Sequence, residues 1–173
     1  MSKTKSCLVS IFVFLAFLTH SSFVHSDSRS LRGLTAINVM VEDLKPNIEG
    51  MGLTREQIKT DIELKLRMAE IKVVSDSEIL KIPGMPYLYL QLNTFRPPQL
   101  RRIGICVFNI CISQMQRVYL ERDPAINVSA DTWSKNSTGF VGEESIGSIR
   151  DRIRDLVDVF INDYLSVNPK GGK

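Results

Sequence analysis

Histidine is nearly missing from this 173-residue chain. Its two copies, His20 and His25, both lie within the first 26 residues. If that segment is removed, the remaining protein has no imidazole. A Ser-His-Asp triad, a Cys-His pair and a histidine metal site are then excluded. Any catalysis would depend on carboxylates, lysine, tyrosine or thiol, and none of these shows a recognisable spacing.

Cysteine is also scarce, and beyond Cys7 the chain has only Cys106 and Cys111. Both lie in an apolar run that predicts a strand. Five residues along a strand separate two Cα atoms by roughly 16 Å, whereas a disulfide needs less than about 7 Å. The odd spacing also turns the two side chains to opposite faces. We therefore expect two free, buried thiols, no metal site and no cofactor.

The first 26 residues have the layout of a secretory signal peptide. Lys3 and Lys5 provide a positive start, and a 12-residue apolar stretch runs from Cys7 to Leu18, interrupted only by Ser10. Small residues precede a plausible cleavage point before Asp27. The apolar run is shorter than the roughly 20 residues that span a bilayer. We expect cleavage and export to the periplasm or the cell exterior, without a stable membrane anchor afterwards.

Charge and length define the class of the remaining protein. Residues 27–173 keep all 19 acidic and 20 of the 22 basic residues, a net charge of +1. A nearly neutral chain provides no footprint for nucleic acid. The length fits one self-sufficient core, so we predict a single domain over residues 27–168 and a disordered tail over 169–173.

Hydrophobic periodicity predicts the secondary-structure elements. A capping box at Thr54–Gln57 begins a helix that runs to about Ala69, and a second helix over Ser145–Val167 carries one apolar stripe. Alternating or apolar runs predict five strands, and residues 135–142 are predicted as a polar loop. The predicted strands span 36–44, 71–74, 87–95, 103–121 and 126–133.

The element order β-α-β-β-β-β-α predicts an α+β fold. We expect a two-layer sandwich in which a mostly antiparallel five-stranded sheet carries both helices on one face. The first two strands would be parallel. The second face of the sheet would then be solvated or covered by a partner.

Three groups of residues are candidate binding elements. Tyr87, Tyr89 and Trp133 could line an exposed docking face, although ordinary cross-strand packing is the favoured interpretation because Tyr and Trp are common strand residues. Arg101 and Arg102, with Arg96 at the same hairpin, could contact an anion or form a solvated loop.

A polar segment that begins at Asp131 could be a ligand-binding loop or a turn stabilised by its own side chains. The sequences starting at Asn127 and Asn136 have the form of glycosylation sequons, which matter only in a eukaryotic source.

Several sequence stretches resemble an uncharacterised family of bacterial exported proteins. They are Leu31–Thr35, Pro86–Tyr89, Asp131–Trp133 and Phe160–Lys170. The resemblance covers most of the domain and implies export but no activity. In element order alone, the chain is similar to the lipopolysaccharide-assembly lipoproteins and to the amino-terminal domain of the Tol-system translocation protein. It lacks the acylated cysteine of the former, and a shared topology does not determine function.

These observations favour a non-enzymatic exported binding module that docks an envelope protein or component, through the free sheet face or an edge strand. The alternative is a small hydrolase-like or other enzyme that uses carboxylates without histidine. A deep cleft with two carboxylates in unlike environments would favour that alternative.

Overall fold

The computed structural model describes residues 28–169. The predicted leader and all but the first residue of the predicted tail lie outside this range. The strands are β1 (Asn38–Val41), β2 (Tyr87–Phe95), β3 (Ile105–Leu120) and β4 (Asp123–Gly142). The α-helices are α1 (Pro46–Glu49), α2 (Arg55–Met68), α3 (Asp76–Ile79), α4 (Pro98–Arg101) and α5 (Ser148–Val167), and 3-10 turns occupy Ser28–Leu31 and Glu143–Ser145.

Within residues 28–169 the four strands form one mixed sheet in the order β1-β2-β3-β4. β1 runs parallel to β2, and both β2 with β3 and β3 with β4 are antiparallel. β3 and β4 are much longer than their neighbours, so their hairpin extends beyond the rest of the sheet. The α+β class is confirmed.

The number of strands predicted from the sequence is wrong. Residues 71–74 form no strand and contribute only a single parallel bridge, between Val73 and Ile37 at the outer side of β1. The segment is too short for a ladder because the capping box at Ser75 starts α3 immediately after it.

The prediction of a polar loop over residues 135–142 is also wrong. This segment continues β4 to Gly142 and pairs with the first half of β3. Its polarity reflects an edge strand with many exposed side chains rather than a turn.

Helix α2 forms as the sequence predicts. The Thr54 hydroxyl accepts the backbone N–H of Gln57 at 3.2 Å, and the Gln57 amide accepts that of Thr54 at 3.3 Å. Ile58, Ile62 and Leu66 form its buried stripe. The stripe joins one cluster of buried residues that includes α5 and one face of the sheet.

An ion-pair network connects the two long helices on the outside of that cluster. Asp61 of α2 accepts hydrogen bonds from Arg150 Nε and Arg150 Nη2, with 2.7 Å between Oδ1 and Nη2. The Asp61 carboxylate also lies 3.1 Å from Arg154 Nη2. The Arg150 guanidinium, which donates these bonds, holds the pKa of the Asp61 carboxyl below its ordinary range. The network therefore favours the charged carboxylate in the folded state.

Substituting Asp61→Asn should lower the free energy of unfolding by about 1–2 kcal/mol at neutral pH, because two partly exposed guanidinium groups lose their carboxylate. The carboxylate's contribution is fully present above its unfolded pKa, near 3.8. It is lost as the pH falls through the lower folded pKa. In urea titrations, the difference between wild type and variant should therefore shrink below about pH 4.

Asp158→Asn is the matched control, because Asp158 pairs with Lys65 between the same helices but is more than half exposed. Its loss should cost less than about 0.5 kcal/mol. An Asp61→Asn variant as stable as wild type at pH 7, or a difference that widens below pH 4, would contradict this account.

Candidate functional site

One face of the sheet packs against the helices, and the other face stays largely accessible in the part of the chain that the structure describes. Direct partners in neighbouring strands share a face. Tyr87 pairs with Met115, which pairs with Asp131, and Phe95 pairs with Val107, which pairs with Phe140. We call this surface, which also carries Met40 and Tyr89, the open face.

The open face has aromatic and apolar ends and a polar middle. The rings of Tyr87 and Tyr89 meet edge to face, with centroids 6.5 Å apart. At the other end Phe95 and Phe140 are 66% and 79% exposed. Side chains between the two ends are polar or small, namely Gln91, Asn93, Asn109, Cys111, Asn136 and Thr138.

Tyr89 places a half-buried phenol on the open face. Its partial burial raises the pKa of the phenol, and the carboxylate of Glu42 raises it further. The hydroxyl is therefore protonated at neutral pH and can donate a hydrogen bond.

A cavity of about 440 Å³ opens at the tyrosine end of this face. Its walls come from β1, from α3 and the loop after it, and from the extended part of the β3–β4 hairpin. Its apolar side chains are Met40, Ile79, Leu80, Met85, Tyr87 and Val128. The volume lies within the range of small-molecule pockets, about 300–1,000 Å³, which are mostly apolar with a few placed polar groups.

Backbone pairing holds the loop wall of the cavity against the hairpin. The N–H of Arg117 donates to the carbonyl of Gly84 at 2.7 Å. Gly84 has a φ of +79°, a conformation that a Cβ would disfavour. The loop therefore turns sharply and presents Met85 to the cavity.

The polar groups of the cavity stand on different walls. The buried Asn38 amide donates to the carbonyl of Val74 at 2.9 Å and to Asp76 Oδ1 at 3.0 Å, which holds α3 against β1. Arg117 Nη2 lies 3.6 Å from Met85 Sδ. Within residues 28–169 the Arg117 guanidinium forms no ion pair.

Trp133 does not share the face of the two tyrosines, contrary to the grouping taken from the sequence. It is 1% exposed and packs edge to face on Phe160, with ring centroids 5.1 Å apart. Its indole N–H donates to Asp163 Oδ2 at 2.8 Å. Trp133 therefore belongs to the core between sheet and helix α5.

A β-bulge explains this difference. Trp133 pairs with Gln114 and Asp131 pairs with Met115, so Thr132 is an extra residue on β4. Regular alternation would place Asp131 and Trp133 on one face, but the extra residue turns them to opposite faces. Asp131 stays on the open face, where its Oδ2 accepts the Ser113 hydroxyl at 3.4 Å.

The arginines predicted as an anion site lie elsewhere. Arg101 ends α4 and its side chain is outside the described part of the structure, while Arg102 follows it and is exposed. Arg96 instead pairs with Glu143. The β2–β3 connection that carries them is roughly 25 Å, the length of β2, from the tyrosine end. Of the predicted site residues, the structure brings together Tyr87, Tyr89 and Asp131.

Two described carboxyl groups are poorly suited to act as a general acid. A general acid needs a raised pKa, but the pKa values of Asp61 and Glu78 are both lowered. Hydrogen bonds from Ser75 lower the pKa of Glu78. Asp76 is the one carboxylate that lines the 440 Å³ cavity. No group of three potential metal-binding side chains occurs in residues 28–169.

Cys106 and Cys111 are both free, as predicted. The prediction that both are buried is wrong for Cys111, which is half-buried because it lies on the open face, whereas Cys106 is buried. None of the helices described between residues 28 and 169 has the length and apolar character needed to cross a bilayer. No protein-family model matches the chain, and no curated protein sequence matches it.

Sequence reasoning missed most of the cavity. Met40, Leu80, Arg117 and Val128 come from four separated elements, and each alone is an ordinary surface residue. The available signal was the alternation along β1 and β2, which puts Met40 and Tyr89 at outward-facing positions. The structure shows that these two residues are direct partners in the parallel pair.

The placement of Trp133 can be checked by fluorescence, because it is the only tryptophan of the chain. The folded protein should emit at short wavelength and resist quenching by iodide until urea unfolds it. The control is Phe140→Trp in a Trp133→Phe background, whose open-face indole should be quenched readily. Equal quenching of the two proteins would contradict the assignment.

Proposed function

We propose that this chain is a non-enzymatic exported binding module that docks a protein or other component of the cell envelope on its open face. The observation that carries the proposal is the open face itself, where Phe95 and Phe140 are 66% and 79% exposed at one end and two half-buried tyrosines meet at the other. Aromatic side chains are enriched in protein interfaces.

The proposal includes a two-layer arrangement, in which α2 and α5 cover one face of the sheet and the partner covers the other. The single buried cluster shared by the two helices and the sheet supports it. The long edge strand β4 offers a second mode of contact, since an extended segment could add to it.

Export and membership of the bacterial exported family belong to the same proposal. The support is the signal-peptide layout of residues 1–26 together with the stretches that resemble that family. Edman sequencing of the protein from its source cells should begin near Asp27.

The docking role can be tested with the mature protein immobilised in envelope extracts of its source organism. Wild type should retain a specific partner, and Phe95→Ser combined with Phe140→Ser should lose most of it. Both side chains are exposed, so the fold should be unaffected, as circular dichroism would verify.

Met68→Ser is the matched control, because Met68 is 76% exposed, close to Phe140 at 79%, but lies on α2. It should retain the partner. Failure of wild type to retain any partner, or equal retention by all three proteins, would refute the docking role.

A further inference from the structure

The cavity at the tyrosine end combines exposed apolar surface with a guanidinium that forms no ion pair within residues 28–169. Leu80 is 70% exposed, and Met40 and Val128 are 43% and 42% exposed. Three large apolar side chains therefore meet solvent around one concave space. An apolar ligand that removed this surface from water would be stabilised by the hydrophobic effect.

Arg117 gives the cavity a charge preference. Its guanidinium lines the space and has no carboxylate partner within residues 28–169. Its nearest polar contact is the weak acceptor Met85 Sδ. The donors of a guanidinium match the oxygens of a carboxylate or phosphate.

Asp76 is the opposing charge on the α3 wall, but two features already compensate it. It accepts the Asn38 amide at 3.0 Å, and it occupies the first turn of α3, where the backbone N–H groups favour a negative side chain. Of the two charged groups that line the cavity, Asp76 is thus engaged by the Asn38 amide, whereas Arg117 has only Met85 Sδ as a side-chain contact among residues 28–169.

We propose that this cavity binds a single-chain amphiphile with an anionic head group. The head is held by Arg117, and the chain lies along Met40, Leu80 and Val128. The inference rests on the proposed binding role and specifies a ligand class for one end of the open face. The cavity volume of about 440 Å³ lies in the lower part of the range of small-molecule pockets, which suits one medium chain.

Calorimetric titration of the mature protein with decanoate, below the concentration at which decanoate self-associates, tests the proposal. One decanoate should bind per chain. Decyltrimethylammonium, which has the same chain length and the opposite charge, should bind at least about tenfold more weakly, because it cannot pair with Arg117.

Two variants separate the head-group contact from the chain contact. Arg117→Gln should weaken decanoate binding by roughly tenfold and leave decanol binding unchanged. Leu80→Ser should weaken both ligands. Arg122→Gln is the matched control, since Arg122 is an exposed arginine at the end of the same hairpin that does not line the cavity, and it should bind like wild type.

Four results would overturn the proposal. Two concern the ligands, namely no binding of decanoate, or tighter binding of the cationic amphiphile than of decanoate. The third is equal weakening of decanoate binding by Arg117→Gln and Arg122→Gln, and the fourth is binding to anionic phospholipid vesicles without binding to decanoate. The last result would identify a membrane surface as the source of the anionic groups. The envelope assay with Phe95 and Phe140 gives an independent readout, so the ligand class can fail while the docking role stands.

Discussion

The register in which β2, β3 and β4 pair determines which side chains meet the helices and which remain accessible. Because side chains alternate along a strand, a slip of one residue would exchange the two faces. Leu88, Leu90 and Ile112 then face α2 and α5, while Tyr87 and Tyr89 face outward. The core and the open face are two consequences of one pattern of backbone hydrogen bonds.

The β-bulge at Thr132 and the extended β3–β4 hairpin shape both the core and the cavity. At Thr132 the bulge sends Trp133 into the core, where Phe160 and Asp163 hold it, and leaves Asp131 outside. Beyond the bulge the hairpin continues past the end of β2 and becomes one wall of the cavity. α3, held against β1 by Asn38, provides another wall. The shape of the cavity therefore depends on contacts that also stabilise the fold.

The sequence predicted the features that local chemistry determines. The capping box at Thr54 and the alternation of β2 depend on neighbouring residues, and both appear as expected. The prediction of a strand at residues 71–74 was wrong, because a short apolar stretch does not reveal whether a neighbouring strand will pair with it along its length. The face of Trp133 was missed because the bulge arises from pairing with β3, which local alternation cannot show. The cavity was missed for a similar reason, since its walls are distant in sequence.

Cys106 and Cys111, both on β3, provide the most direct test of the register. Cys106 is fully buried on the helix side, where burial raises the pKa of its thiol, and Cys111 is half-buried on the open face. Brief treatment of the folded protein with iodoacetamide, followed by peptide mass spectrometry, should label Cys111 and spare Cys106 until urea is added. Faster labelling of Cys106 would show that the faces are exchanged and would contradict the account.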